Sequence, residues 1–138
     1  MEEAKKVEAG SWGLFVLRLG VGGMMLTHGL PKFQLLLDEP SRFLDPIGLG
    51  AELSLFLVVF AELVCAALIV VGAFTRLACI PLLFAMLVAA FIYHADDPFK
   101  GRELALLYGA GTLAILLLGA GRLSVDGWRQ GRQSASED

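Results

Sequence analysis

The chain has 138 residues, 57% of them hydrophobic and 18% charged, with a net charge of −3 and a mean hydropathy of +0.70. A soluble domain has about a quarter of its residues charged, so this composition excludes an ordinary soluble fold. No basic patch with interleaved aromatics is present, which argues against nucleic acid as a partner.

The charges crowd the two ends and the segments between long apolar runs, and one domain is the natural count at this length. Lys5 and Lys6 precede the first apolar stretch, as in a signal peptide. Arg18 interrupts that stretch and no A-x-A pattern comes after it, so it reads as a retained first span over residues 11–30. Pro31 lacks a backbone donor and crowds the carbonyl of Thr27, which predicts a kink or stop there. Residues 34–51 hold Asp38, Glu39, Pro40, Arg42, Asp45 and Pro46, which is loop chemistry with room for a short surface helix near residues 33–37. The second span covers residues 52–74 with one internal charge, Glu62. A short turn at Thr75 and Arg76 makes the third span, residues 77–93, its antiparallel neighbour. Pro81 falls in the first turn of that span, where a missing donor does little harm. His94 to Arg102 form a polar loop, and the fourth span covers residues 103–121. The tail from Arg122 reads as disordered.

Runs this long and continuous predict helices rather than a barrel, since lipid demands that backbone groups bond within their own segment. The fold class is therefore all-α, an integral membrane four-helix bundle. Residues 1–10 and 122–138 are its tails and residues 11–121 its core. Gly20, Gly22 and Gly23, with Ala105 and Gly109, are the small residues expected at helix contacts. Cys65 and Cys79 lie in apolar runs, form no CxxC, and read as buried hydrophobes.

Charges within the spans are costly, at least about 2.5–3.5 kcal/mol each near the bilayer centre. Arg18 and Glu62 face that cost and are expected at depths differing by roughly 5 Å, which predicts a buried Arg18–Glu62 ion pair. Its role is open: the pair fixes which helices touch, or Glu62 carries protons or binds a ligand. Arg18, His28 and Lys32 fall within an arc of about 80° on the first helix, giving it one polar stripe. His94 and Asp96 end the third span and Glu103 opens the fourth at the same level, where the helix dipole favours an anion. The spacing is not a recognised metal motif, and no metal is assigned. A headgroup site for a quinone or similar amphiphile suits the same residues.

The stretches LRLGVGGMMLTHGLPKF, FAELVCAALIVVGAFTRLA and GRELALLYGAGTLAILLLGAGRLSVDGW together resemble the DoxX family of bacterial four-helix membrane proteins, over about residues 12–128. The matching positions are His28, Gly29 and Lys32; Glu62, Gly72, Thr75 and Arg76; Glu103; and Gly119, Gly121, Arg122, Ser124 and Asp126. The N-terminal extension and the long acidic first loop depart from the pattern. The resemblance implies a place beside a membrane oxidoreductase: the family's namesake is linked to a thiosulfate:quinone oxidoreductase, and other members resemble partners in assemblies that handle thiol or oxidative stress. This chain has no dinucleotide fingerprint, CxxC or c-type haem motif, so it offers no intrinsic redox centre, and electrons would pass through a bound quinone or a partner subunit.

The leading reading is a quinone-interacting subunit of a membrane oxidoreductase system, which leaves open whether the chain is itself an enzyme. His28 and Glu62 are the candidate catalytic groups, with His28 able to trade protons near neutral pH. Arg18, His28, Lys32, Glu62, His94 and Glu103 are the candidate cofactor-binding groups. A small-solute carrier or channel and a non-catalytic scaffold are the alternatives, and a homo-oligomer is left open. With an even number of spans both tails share a face with the Thr75 turn. That face holds six Lys and Arg residues against four on the other, a margin of 6 − 4 = 2. The positive-inside rule then places both termini in the cytoplasm, with the chain in the bacterial inner membrane. Reporter fusions after Gly10, Leu49, Thr75, Asp97 and Gln133 should alternate in, out, in, out, in. An accessible Asp97 beside an inaccessible Leu49 would contradict four spans.

Overall fold

A computed structural model describes residues 1–136 of the chain. Four helices are long and apolar enough to cross a bilayer: α1 (Glu2–Asp38), α2 (Ala51–Val71), α3 (Thr75–Tyr93) and α4 (Phe99–Leu118). Large apolar side chains such as Leu19, Phe56, Leu77, Phe84, Leu107 and Leu117 point outward along them. A soluble protein rarely exposes so much contiguous apolar surface, whereas lipid takes it without penalty. The chain is a multi-pass membrane protein built as an all-α bundle. A fifth helix, α5 (Val125–Ser136), lies beyond the spans.

The first helix is longer than expected at both ends. It runs without interruption through Pro31, and the expected surface helix near Phe33 is its last turn. Only one backbone bond is lost at a proline, and the α1 positions on both sides are held by packing against α2. That packing is close because of two glycines. A Cβ on Gly22 would lie 2.7 Å from Val70 Cγ2 and 2.8 Å from the Ala66 carbonyl, and one on Gly29 would lie 2.7 Å from Leu63 Cδ2. Gly20 and Gly23 face open space or their own helix and play no such part. Gly111 of α4 receives the Val21 side chain, 2.6 Å from where a Cβ would stand. The core between the helices holds Met25, Ile69, Cys79, Leu82, Met86 and Ile115.

Two turns of the bundle are wider than α-helical. In α2 the Phe60–Cys65 segment is a π-helical turn, with the Ala66 N–H donating to the Ala61 carbonyl. In α3 the Ala89–Tyr93 segment is another, closed by His94 N donating to Ala89 O at 3.0 Å. Such turns rotate the next stretch of helix about its axis and frequently occur at functional sites.

The tail expected to be disordered is helical over Val125–Ser136; the expectation at Glu137 and Asp138 lies outside the described residues. Asp126 explains the order. Its carboxylate accepts from Phe74 N (3.0 Å), Thr75 N (2.9 Å) and Thr75 Oγ1 (2.8 Å), while its own N–H donates to Gly72 O at 2.8 Å. The start of α5 is thus pinned to the α2–α3 turn. Gly72 sits there at φ +71°, where a Cβ would collide with Arg18 and Ser124. Across the molecule, Asp45 braces the first loop by accepting from Leu49 N, Gly50 N and Ser54 Oγ. The Ser54 hydroxyl, and then the backbone donors, hold its carboxyl below the ordinary range.

Burial pushes the Asp126 carboxyl up, but the Thr75 and Phe74 donors and the nearby Arg129 charge outweigh it and leave it below the ordinary carboxylate range. A depressed carboxyl contributes stability that is fully present above its unfolded value and is lost as pH falls through the folded one. Asp126→Asn should therefore cost about 1.5–3 kcal/mol at neutral pH. It should also remove part of the acid-side loss of stability below about pH 4. Thermal melts of detergent-solubilised protein across pH would show both effects.

Candidate functional site

At the end of the bundle away from the tails, a cavity of about 160 Å³ opens between all four spanning helices. Helix α1 contributes Met25, His28 and Lys32, and α2 contributes Glu62. Helix α3 and its end supply Met86, Ala89 and His94, while α4 supplies Leu104 and Tyr108. Of the residues singled out in the sequence, His28, Lys32, Glu62 and His94 meet here. Glu103 is exposed and does not line the cavity. Arg18 lies elsewhere.

The centre of the site is an ion pair. Lys32 Nζ stands 2.6 Å from Glu62 Oε1 and 2.7 Å from Oε2. The Glu62 side chain is 3% exposed and the Lys32 side chain 33%, so the carboxylate is sealed from lipid while the ammonium reaches toward the surface. Lys32 can do this because α1 stays helical past Pro31, which keeps it one turn beyond His28 on the same face. Gly29 lets the α1 backbone lie against Glu62 and Leu63. An ammonium has three donor protons; two engage Glu62, leaving one for whatever enters the cavity.

The expected Arg18–Glu62 pair does not form. Arg18 is fully buried, but its Nη1 donates to the carbonyls of Ile69 (3.2 Å) and Val70 (3.1 Å), and its Nη2 to that of Leu123. Two facts of register explain this. The antiparallel fit sets Arg18 level with Val70, and Val70 is eight residues from Glu62, roughly 12 Å along the axis. Arg18 also reaches the end of α2, where the dipole is negative and the carbonyls have acceptor capacity to spare; Ile69 O takes Gly72 N at 3.2 Å as well as Arg18. Three carbonyls serve this cation in place of a carboxylate. Arg18 thus ties α1 to the end of α2 and to the segment before α5, and its Nε has no hydrogen-bond partner among the described residues.

Tyr108 is a member of the site that residue spacing alone does not reveal. Its ring meets His28 edge to face, with centroids 5.5 Å apart, and it is 7% exposed. A lone tyrosine in an apolar span is a signal in itself, because a buried hydroxyl seeks a polar neighbour. His94 Nδ1 lies 2.5 Å from Asp97 Oδ2, which steers that ring from the loop side. Among the described residues no three His, Cys, Asp or Glu groups cluster as a metal site. Cys65 and Cys79 are free and buried.

The architecture and this constellation of residues define a four-helix membrane protein with a polar site near one membrane face. The chain belongs to the DoxX family, whose model matches residues 13–95, more than half of its length. Two proteins of Haemophilus influenzae, each described as an uncharacterized protein, are similar along most of the chain. One is 28% identical over 135 residues, covering 91% of this chain and 89% of its own. The other is 32% identical over 120 residues, covering 82% and 87%. No solved structure matches the chain significantly.

A double-mutant cycle separates the two buried charges. Lys32→Met and Glu62→Gln should couple by about 0.5–3 kcal/mol because the side chains touch. Arg18→Met and Glu62→Gln, with no contact between them, should be additive within about 0.5 kcal/mol. Coupling of Arg18 and Glu62 as strong as that of Lys32 and Glu62 would contradict the register that sets Arg18 level with Val70.

Proposed function

We propose that the cavity between the four helices is a headgroup site for a quinone, and that the chain serves as a quinone-interacting subunit or partner of a membrane oxidoreductase. One observation carries the reading: the Lys32–Glu62 ion pair lies within a ring-sized cavity, with the rings of His28 and Tyr108 on the same wall. The volume of about 160 Å³ is below the roughly 300–1,000 Å³ of pockets for drug-sized ligands. It suits a single ring and leaves an isoprenoid tail to the lipid beside exposed residues such as Leu104 and Leu107. The polar groups fit a quinone carbonyl: the remaining Lys32 proton, one His28 ring N–H and the Tyr108 hydroxyl are all able to donate.

A bound quinone would supply acceptance of two electrons and two protons, which the chain's own residues do not provide. Lys32 holds a positive charge and a hydrogen-bond donor at the cavity wall. Glu62 keeps that ammonium oriented through both carboxylate oxygens. His28 lines the cavity and is exposed, so its ring stands at the mouth of the site. In this reading the oxidoreductase partner delivers electrons at the face with His28 and His94, and the tails lie in the cytoplasm of a bacterial inner membrane.

The test is quinone carried through purification. Protein expressed in a bacterial membrane and extracted in mild detergent should retain quinone measurable by extraction and mass spectrometry. His28→Ala and Lys32→Ala should lower that retention by roughly tenfold or more, the worth of one good hydrogen bond to a charged group, while Lys100→Ala leaves it unchanged. Wild-type retention in His28→Ala and Lys32→Ala, both monodisperse, would overturn the quinone site and favour a scaffold.

A further inference from the structure

A cavity of about 740 Å³ lies at the opposite end, between the α2–α3 turn, the end of α4 and helix α5. We propose that it seats the phosphate of an anionic glycerophospholipid. Its charged lining is Arg76, Arg122, Arg129 and Asp126, a formal balance of 3 − 1 = +2. Asp126 offers little to a ligand's cations, because its oxygens are already engaged by the Phe74 and Thr75 donors. The three arginines are exposed and form no salt bridge with any described carboxylate. Arg76 gives one N–H to Leu117 O at 3.3 Å. Since a guanidinium carries five donors in a planar fork, most remain for a phosphate.

What distinguishes a lipid from a soluble anion is the rim. Phe74, Leu77 and Leu118 line the cavity beside the arginines and are each more than half exposed. Arg129 stacks over the Phe74 ring at 5.3 Å. Leu77 and Leu118 belong to the spanning helices α3 and α4, whereas Arg129 lies on α5 beyond them. Aromatic rings with adjacent guanidiniums mark the level of lipid headgroups. An occupant must therefore present a phosphate to the arginines and an acyl chain to the leucines, and this describes one phospholipid. Basic clefts beside spanning helices suit anionic headgroups, each arginine contributing about 1 kcal/mol near the surface.

The experiment uses the full chain in neutral detergent. Phosphatidylglycerol and phosphatidylcholine of equal acyl length are titrated in, with bound lipid read by native mass spectrometry. Preferential retention of phosphatidylglycerol is expected. Arg76→Gln/Arg129→Gln should weaken it roughly 30-fold, and Arg122→Gln alone roughly fivefold. The Arg122 side chain makes no hydrogen bond within the described residues, so the Arg122→Gln result stands even if the double variant does not fold. Arg42→Gln on the other membrane face should change nothing. Equal retention of the two lipids, or undiminished phosphatidylglycerol binding in Arg122→Gln, would overturn the proposal. Displacement of the lipid by millimolar inorganic phosphate would do so as well, by making the cleft a soluble-anion site.

Discussion

Lipid gives a buried charge no water to lean on, so each ionised group kept between these helices has to be solvated by the chain itself. The two interior charges meet that demand in different ways. Glu62 takes a cation from the neighbouring helix. Arg18 takes backbone carbonyls where α2 ends, together with one from the segment that leads into α5. The second solution depends on helix α2 stopping at Gly72, whose left-handed conformation ends the helix there and whose missing side chain leaves room for the guanidinium. The position of α5, and so the shape of the whole face that carries the tails, rests on that arrangement.

Much of this is legible in the residues. Four apolar runs with polar breaks fix four helices, because no other spanning structure satisfies the backbone in lipid. Of the polar stripe of Arg18, His28 and Lys32, the last two meet Glu62 and His94 at the cavity, while Arg18 and Glu103 do not. The mismatch over Arg18 and Glu62 has a clear origin. Depth reckoned from where each apolar run begins is misleading here, since α1 starts at Glu2 and continues to Asp38, and it is close packing at Gly22 and Gly29 that sets the register. Hydropathy carries no information about that slide. Nor can it show that α5 is ordered, since the order comes from one carboxylate reaching across to Thr75 rather than from apolar residues in the tail. The wide turns at Phe60–Cys65 and Ala89–Tyr93 are equally hidden, being properties of hydrogen bonding and not of composition.

The family pattern gains a physical division from the structure. Positions such as Gly72, Thr75, Ser124 and Asp126 join the α2–α3 turn to the chain beyond α4; Ser124 Oγ itself receives Gly127 N at 2.9 Å. His28, Gly29, Lys32 and Glu62 assemble the cavity at the other end. The chain thus builds two polar centres on opposite sides of an apolar layer formed by Met25, Ile69, Leu82 and Met86.

Helix α1 crosses that layer as a single uninterrupted rod. Lys32 and Arg18 are fourteen residues apart on it, roughly 21 Å along its axis. A rod of this kind has one axial coordinate and one angle of rotation, and both ends share them. If Lys32 is drawn away from Glu62, the same slide or twist is imposed on Arg18 within its ring of carbonyls. The two faces of the protein are therefore mechanically geared to each other through one helix, with no need for a chain of side-chain rearrangements between them.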